Sequence, residues 1–212
     1  MNRAVASPWT WEDDFTSDTG WSRVGTDVTY DYSTNNRANF VFSRDGSEDI
    51  GYHAIDGGNA DDTAWVLRFK WVQTSQTVVS GNHNWHGLAD NGTTSFTTAQ
   101  DSIGIFHDTS NLRLTDGDGS ALESNPVTIV ANSATFTRYV ELIRTSSTTS
   151  TCEFFPNDTF GTADYSVSNT PVSTIINLSH FKMQKRNLSS SPDQFTGYNT
   201  DIQFANGVTV AP

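Results

Sequence analysis

Between Thr63 and Val72, the residues Trp65, Leu67, Phe69 and Trp71 alternate with Val66, Arg68 and Lys70. A period of two with one apolar face is the pattern of a β-strand lying on a core, because successive side chains point to opposite faces. Shorter runs rich in aromatic and β-branched residues recur every 10–15 residues: 21–32, 38–42, 50–55, 85–88, 102–107 and 112–115, then 136–145, 150–155, 175–186 and 202–210. No run sustains a 3.6-residue period, so helices are not expected. The two ends match in style. Trp9-Thr-Trp-Glu-Asp-Asp-Phe15 stands near the start and Gly197-Tyr-Asn-Thr-Asp-Ile-Gln-Phe204 near the end. Sandwich domains often pair their first and last strands, which predicts that residues 11–15 lie beside 201–204. The expected architecture is all-β, a two-sheet antiparallel jelly-roll sandwich, with residues 1–212 forming a single domain.

Composition narrows the function classes. Apolar residues make up 35% of the chain, and aromatic residues at 12% compensate because each ring buries a large area. The net charge is −12, from 24 acids against 12 bases. That balance opposes nucleic acid, whose binding needs basic surface to neutralise phosphate, and equally an anionic membrane surface. No window approaches the roughly 20 apolar residues of a membrane span, so membrane insertion is not expected. The first residues lack an apolar stretch of a secretory signal's length, so no signal peptide is expected. Cys152 is the single cysteine, which precludes an internal disulfide and reads as a small buried hydrophobe.

The stretch Arg138-Tyr-Val-Glu-Leu-Ile-Arg144, a polar turn at 146–149, and Ser150-Thr-Cys-Glu-Phe-Phe155 resemble the hairpin of laminin G-like domains. It departs from that pattern at Phe155-Pro-Asn157, where the usual turn is missing. Residues 175–186 and 198–204 look like the strand pair that closes such domains. From Asp14-Phe15 onward the chain is similar to the concanavalin A-like lectin/glucanase sandwich, and the resemblance implies its two-sheet fold. Glycosidases and lyases occur on that fold, but its glucan hydrolases carry a Glu-x-Asp-x-x-Glu strand. Here no two of the five glutamates, Glu12, Glu48, Glu123, Glu141 and Glu153, have that spacing. Glu141 and Arg144 read as a surface charge pair.

Four aromatic or imidazole side chains are candidate glycan contacts. Trp85 and His86, in Gly81-Asn-His-Asn-Trp-His-Gly87, read as the rim of a loop entering a strand. His83 and His86 are three apart, a spacing that points to opposite faces of a strand and so disfavours zinc. Trp9 and Trp11 share one face of an extended segment. Aspartates concentrate in turn-rich stretches, and Asp56, Asp61, Asp62, Asp116 and Asp118 are expected donors if one structural calcium ion binds. Asp116-Gly-Asp-Gly-Ser120 begins like a calcium loop, but its twelfth position is Val127, so it is no EF-hand.

These readings imply a non-catalytic, lectin-like module for glycan binding or surface attachment, with a glycan or other protein subunits as partners. It would work outside the cell, at a cell surface or on a virion. The alternative is a structural protein of a virion or cell-surface layer with no sugar ligand, and a glycan-degrading enzyme is third. Fold alone does not choose among them.

Overall fold

The computed structural model describes residues 8–43, 46–56, 58–77, 83–93, 100–107, 111–118, 124–131, 135–170, 175–186 and 194–212; side chains of His83, Arg186 and 124–131 are outside this set. The described residues form fifteen strands and no helix. They are β1 (Trp11–Asp13), β2 (Ser22–Val24), β3 (Val28–Asp31), β4 (Arg37–Ser43), β5 (Ile50–Ala54), β6 (Trp65–Thr77), β7 (His83–Ala89) and β8 (Asp101–His107). The second half adds β9 (Asn111–Asp118), β10 (Ser124–Ala131), β11 (Phe136–Ser146), β12 (Thr149–Phe155), β13 (Tyr165–Asn169), β14 (His180–Arg186) and β15 (Gln194–Asn206).

Two antiparallel sheets result, as the alternation predicts. The eight-stranded sheet runs β13-β12-β11-β6-β15-β4-β3, with β1 also on β15, and the seven-stranded sheet runs β10-β9-β8-β7-β14-β5-β2. Trp65, Leu67, Phe69 and Trp71 are fully buried, while Arg68 and Lys70 point outward and are half-buried. They share a core with Phe40, Phe42, Phe181, Met183 and Phe204 from both sheets. Cys152 lies in the same core.

The expected pairing of the two ends is present, with Trp11 opposite Phe204 and Asp13 opposite Ile202. β15 is long enough to serve three partners. β6 pairs along most of it, β4 pairs with residues 194–199, and β1 with 202–204. Asp201 falls between the stretches taken by β4 and β1, at a register shift against β6. Its φ is 54°, a left-handed conformation that lets the strand bulge there.

Several local expectations differ from the structure. The run 21–32 is two strands, because the chain turns at Gly25, where φ is 76° and an added Cβ would lie 2.1 Å from Asp49 Oδ1. The run 175–186 enters a sheet only at His180; residues 175–179 belong to no strand, and Asn177 among them is left-handed at φ 57°. Asp116-Gly-Asp118, read as a loop, ends strand β9. β10 and β13 carried no sequence signal strong enough to be read as strands.

Candidate functional site

The site grows out of the outer face of the eight-stranded sheet. Directly opposed residues in antiparallel strands share a face, so the register defines a row of polar side chains across six strands: Glu12, Gln203, Arg68, Glu141, Glu153 and Ser166. Gln203 Nε2 donates to Glu12 Oε2 at 3.0 Å, and Ser166 Oγ donates to Glu153 Oε1 at 3.0 Å. Arg68 Nε donates to Glu141 Oε2 in an ion pair. Glu141 is still raised above the usual carboxylate range, because burial outweighs Arg68 and Glu153 adds repulsion.

One register step away, Lys70 lies opposite Tyr139 on this face, and Tyr139 opposite Phe155. Segment 156–164 leaves β12 and returns over them, anchored where Asp164 N donates to Phe154 O at 2.8 Å. It sets Phe160 against Phe155 (ring centroids 5.1 Å apart) and edge-on to Tyr139 (6.3 Å). The Arg68 guanidinium stacks over Phe160 at 3.9 Å, and Lys70 Nζ lies 5.3 Å from the Tyr139 centroid. On the other side rises the β15 bulge carrying Asp201. Between these walls is a pocket of about 270 Å³ lined by Lys70, Tyr139, Asp158, Phe160, Asp201 and Gln203. A recess of about 80 Å³, bounded by Glu12, Asp13, Asp14, Asp201, Ile202 and Gln203, adjoins it across Asp201.

Two of the six lining residues hold left-handed backbone, Phe160 at φ 48° and Asp201 at φ 54°. For a bulky aromatic residue this conformation is a true outlier, and such strain costs on the order of 1–3 kcal/mol per residue. Both outliers stand on opposite walls of one pocket. Asp201 is exposed at the rim, yet partial enclosure raises it above the ordinary carboxylate range. Lys70 opposes this, and the nearby charges of Asp14 and Asp158 reinforce it.

The side chains singled out from sequence lie elsewhere, with one exception. Trp85 is in strand β7, not on a loop rim, and is only 1% exposed. It lies on the outer face of the seven-stranded sheet over Gly87 and Gly104; a Cβ on Gly104 would come within 2.4 Å of Trp85 Cζ2. It therefore offers no ring face to a sugar. His86, the next residue, points into the core, its ring tilted against Trp71 with centroids 4.1 Å apart. Its Nε2 donates to Asn84 Oδ1 at 2.7 Å and its Nδ1 accepts from Asn199 Nδ2 at 2.7 Å, an arrangement for neutral imidazole. Burial holds it well below its ordinary pKa. Trp11 is 5% exposed and stacks on His53, so it is core as well. Trp9, just before β1, is the exception: it is half-buried, with the Arg68 guanidinium 5.5 Å from its ring, at the edge of the polar row.

The five aspartates expected to share calcium do not converge. Among the described residues, no three His, Cys, Asp or Glu side chains are placed to hold one metal ion. Asp61 accepts from Thr63 N, Thr63 Oγ1 and Ala64 N; Asp62 accepts from Asn177 N; Asp116 accepts from Asn169 Nδ2. Asp56 is exposed on its loop, and Asp118 ends β9. The charge faced by Asp61, Asp62, Asp101 and Asp116 is the guanidinium of Arg144. Arg144 follows Val140 and Leu142 on the inward side of β11 and is fully buried, donating to Ser146 O and Ser147 O. It is thus not a surface partner of Glu141, which points the other way to Arg68. Asp61, Asp62 and Asp116 are thus met by protein donors and the charge of Arg144, and among the described residues the five carboxylates do not form one calcium-binding set.

Sequence reading missed Phe160, Asp158 and Asp201. The signal was the break at Phe155-Pro-Asn157, which marks where the chain leaves the sheet to build the pocket wall.

No protein-family model and no curated protein matches the chain. Solved structures do match in fold. One is the CBM2 module of the evolved Dit of Lactobacillus casei BL23 phage J-1, with TM-score 0.58, 11% identity, and coverage of 96% of this chain and 97% of the other. Another is the VIP36 exoplasmic/lumenal domain in its Ca²⁺/Man3GlcNAc-bound form, with TM-score 0.59, 11% identity, and coverage of 94% and 89%. A third is a sialidase, with TM-score 0.61 and 10% identity, where 94% of this chain matches 19% of that one. The chain thus spans about a fifth of the sialidase. At these identities the likeness shows the fold: an all-β, lectin-like β-sandwich.

Proposed function

We propose that this domain is a non-catalytic carbohydrate-binding module serving glycan recognition or surface attachment, and that its glycan sits in the Tyr139–Phe160 pocket. The observation that carries the reading is the pocket itself. Aromatic rings stand beside carboxylate, amide and ammonium groups in a recess the size of a sugar ring, and its walls hold two strained residues. Aromatic rings cover the apolar faces of a pyranose while Asp and Gln bond its hydroxyls, which is how a polar ligand is oriented in a small cleft. The neighbours support a binding role: VIP36 is described with Man3GlcNAc, and botulinum neurotoxin type C with two ganglioside molecules. The near-complete overlap with a phage Dit module favours attachment on a virion or cell surface as the setting.

A glycan array followed by calorimetry on the hits tests this reading. Tyr139→Ala and Phe160→Ala should each abolish binding while leaving the fold intact. Unchanged affinity in both would remove the pocket from consideration.

One observation favours a second reading, hydrolysis: Asp158 and Asp201 line the same pocket, and a glycosidase needs two carboxylates across a cleft. Release of reducing sugar that disappears in Asp201→Asn would establish it. The binding reading expects no release.

A further inference from the structure

Resting on that reading, we infer that the pocket takes a sugar ring carrying a free amine, a deacetylated hexosamine unit, in preference to its N-acetylated form, and that it rejects acidic sugars. The argument is one of charge placement. Asp158 and Asp201 line the pocket, and Lys70 is the one cation among its six lining residues. Lys70 is also drawn toward the Tyr139 ring. The other nearby cation, Arg68, is already committed to Glu141 and to the face of Phe160.

Behind Asp201 the adjoining recess adds Glu12, Asp13 and Asp14. All three are occupied by protein donors, Asp14 by Thr16 N and Thr16 Oγ1. Glu12 accepts from Gln203, and Asp13 accepts from Phe15 N, Thr19 Oγ1 and Trp21 Nε1. Asp201 stands between the two hollows: partial enclosure raises it above the ordinary carboxylate range, Lys70 opposes this, and the charges of Asp14 and Asp158 add repulsion against its ionisation. An ammonium group placed between Asp158 and Asp201 relieves the repulsion that a neutral ring leaves in place. A carboxylate-bearing ring such as a sialic acid increases it, on a chain whose net charge is already −12. The aromatic walls accept the body of a sugar ring of any charge, so the carboxylates determine the preference.

The experiment is calorimetric titration at about pH 6, where a sugar amine is protonated. The probes are a glucosamine trimer, an N-acetylglucosamine trimer and sialyllactose. The glucosamine trimer should bind about two- to fivefold more tightly than its N-acetylated counterpart, the range expected of a partly exposed ion pair. That margin should shrink as salt is added, and sialyllactose should not bind. Asp201→Asn should bring the two trimers to equal affinity. Asparagine tolerates the left-handed backbone at this position, so the variant keeps the bulge. Lys70→Gln should widen the margin. Equal or tighter binding of the N-acetylated trimer, or binding of sialyllactose, overturns the amine preference while the pocket stands as a glycan site. No binding by any of the three probes overturns the pocket reading and the preference with it.

Discussion

The two sheets treat their outer faces in opposite ways. On the eight-stranded sheet, Arg68, Lys70, Tyr139, Glu153 and Gln203 are half-buried and reach solvent, as an antiparallel sheet with one wet face should. On the seven-stranded sheet, the corresponding outward positions at its centre are buried, while Arg113 and Tyr52 toward the ends of the same rows are half-buried. The register sets Gln184, Trp85 and Phe106 in one row and Lys182, Gly87, Gly104 and Thr115 in the next, and every one of these is buried. One sheet therefore has a face available for ligand. The other is buried on both sides through its central strands and serves there as structure, even though it carries the tryptophan and histidine that looked most like a binding motif.

The sharpest way to break this contrast is to cut the same kind of side chain from each face. Trp85→Ala should destabilise the fold by roughly 3–5 kcal/mol, the usual cost of emptying a fully buried aromatic site, and leave glycan affinity unchanged. Chemical denaturation alongside calorimetry checks both halves, and a stability loss under 1 kcal/mol would mean that Trp85 is not packed as described.

The next effect is smaller and depends on pH. Burial on the seven-stranded sheet pushes Lys182 down to about 7 from its ordinary 10.5, against the opposing charges of Asp90 and Glu48; its Nζ donates to Gln100 Oε1 at 3.1 Å. Between those two values the unfolded chain holds a proton that the folded one has released. Stability should therefore climb as pH rises from about 7 toward 10 and show no Lys182 contribution to the slope below 7, a change on the order of a few kcal/mol. Lys182→Met should flatten that climb in urea titrations across the window, and an unaltered slope would place the titration elsewhere.

On the open face the sign of the comparison reverses. Tyr139→Ala should cost about 1 kcal/mol or less in stability, since its ring is half solvated, and yet eliminate glycan binding. A variant that loses both would mean that the pocket wall is a packing element.

The smallest expected effect is that of calcium. With Arg144 beside the aspartates at one end of the sandwich, adding a chelator should leave the melting midpoint where it is. A midpoint that rises with free calcium would reveal a site through mass action.

The same contrast explains what could be read from the chain. Trp65, Leu67, Phe69 and Trp71 announced their strand because their other neighbours, Arg68 and Lys70, face water, and alternation is visible only where one face is wet. In β7 and β14 both faces are buried, so Asn84-Trp-His86 and Phe181-Lys-Met183 give no alternation from which to tell inside from outside. Trp85 and His86 accordingly read as the rim of a loop entering the strand 85–88. Arg144 misled for a related reason: a buried arginine at an inward position breaks the apolar pattern of Val140 and Leu142. The pocket was illegible because it joins residues from three distant segments, Lys70, Tyr139 to Phe160, and Asp201 to Gln203. Only the register of β6, β11 and β15 brings them together.

That register also orders events in time. β14 lies between β7 and β5, and β15 between β6 and β4, so each sheet receives a central strand from the last third of the chain. During synthesis β6, β4 and β1 present unpaired edges until residues 194–206 emerge, and β7 and β5 wait for β14. Neither sheet can close as a local event, and contacts of such long sequence separation make for slow folding. The domain is assembled from its end: the strand that carries Asp201 into the pocket is also the one that completes the sheet on which the pocket is built.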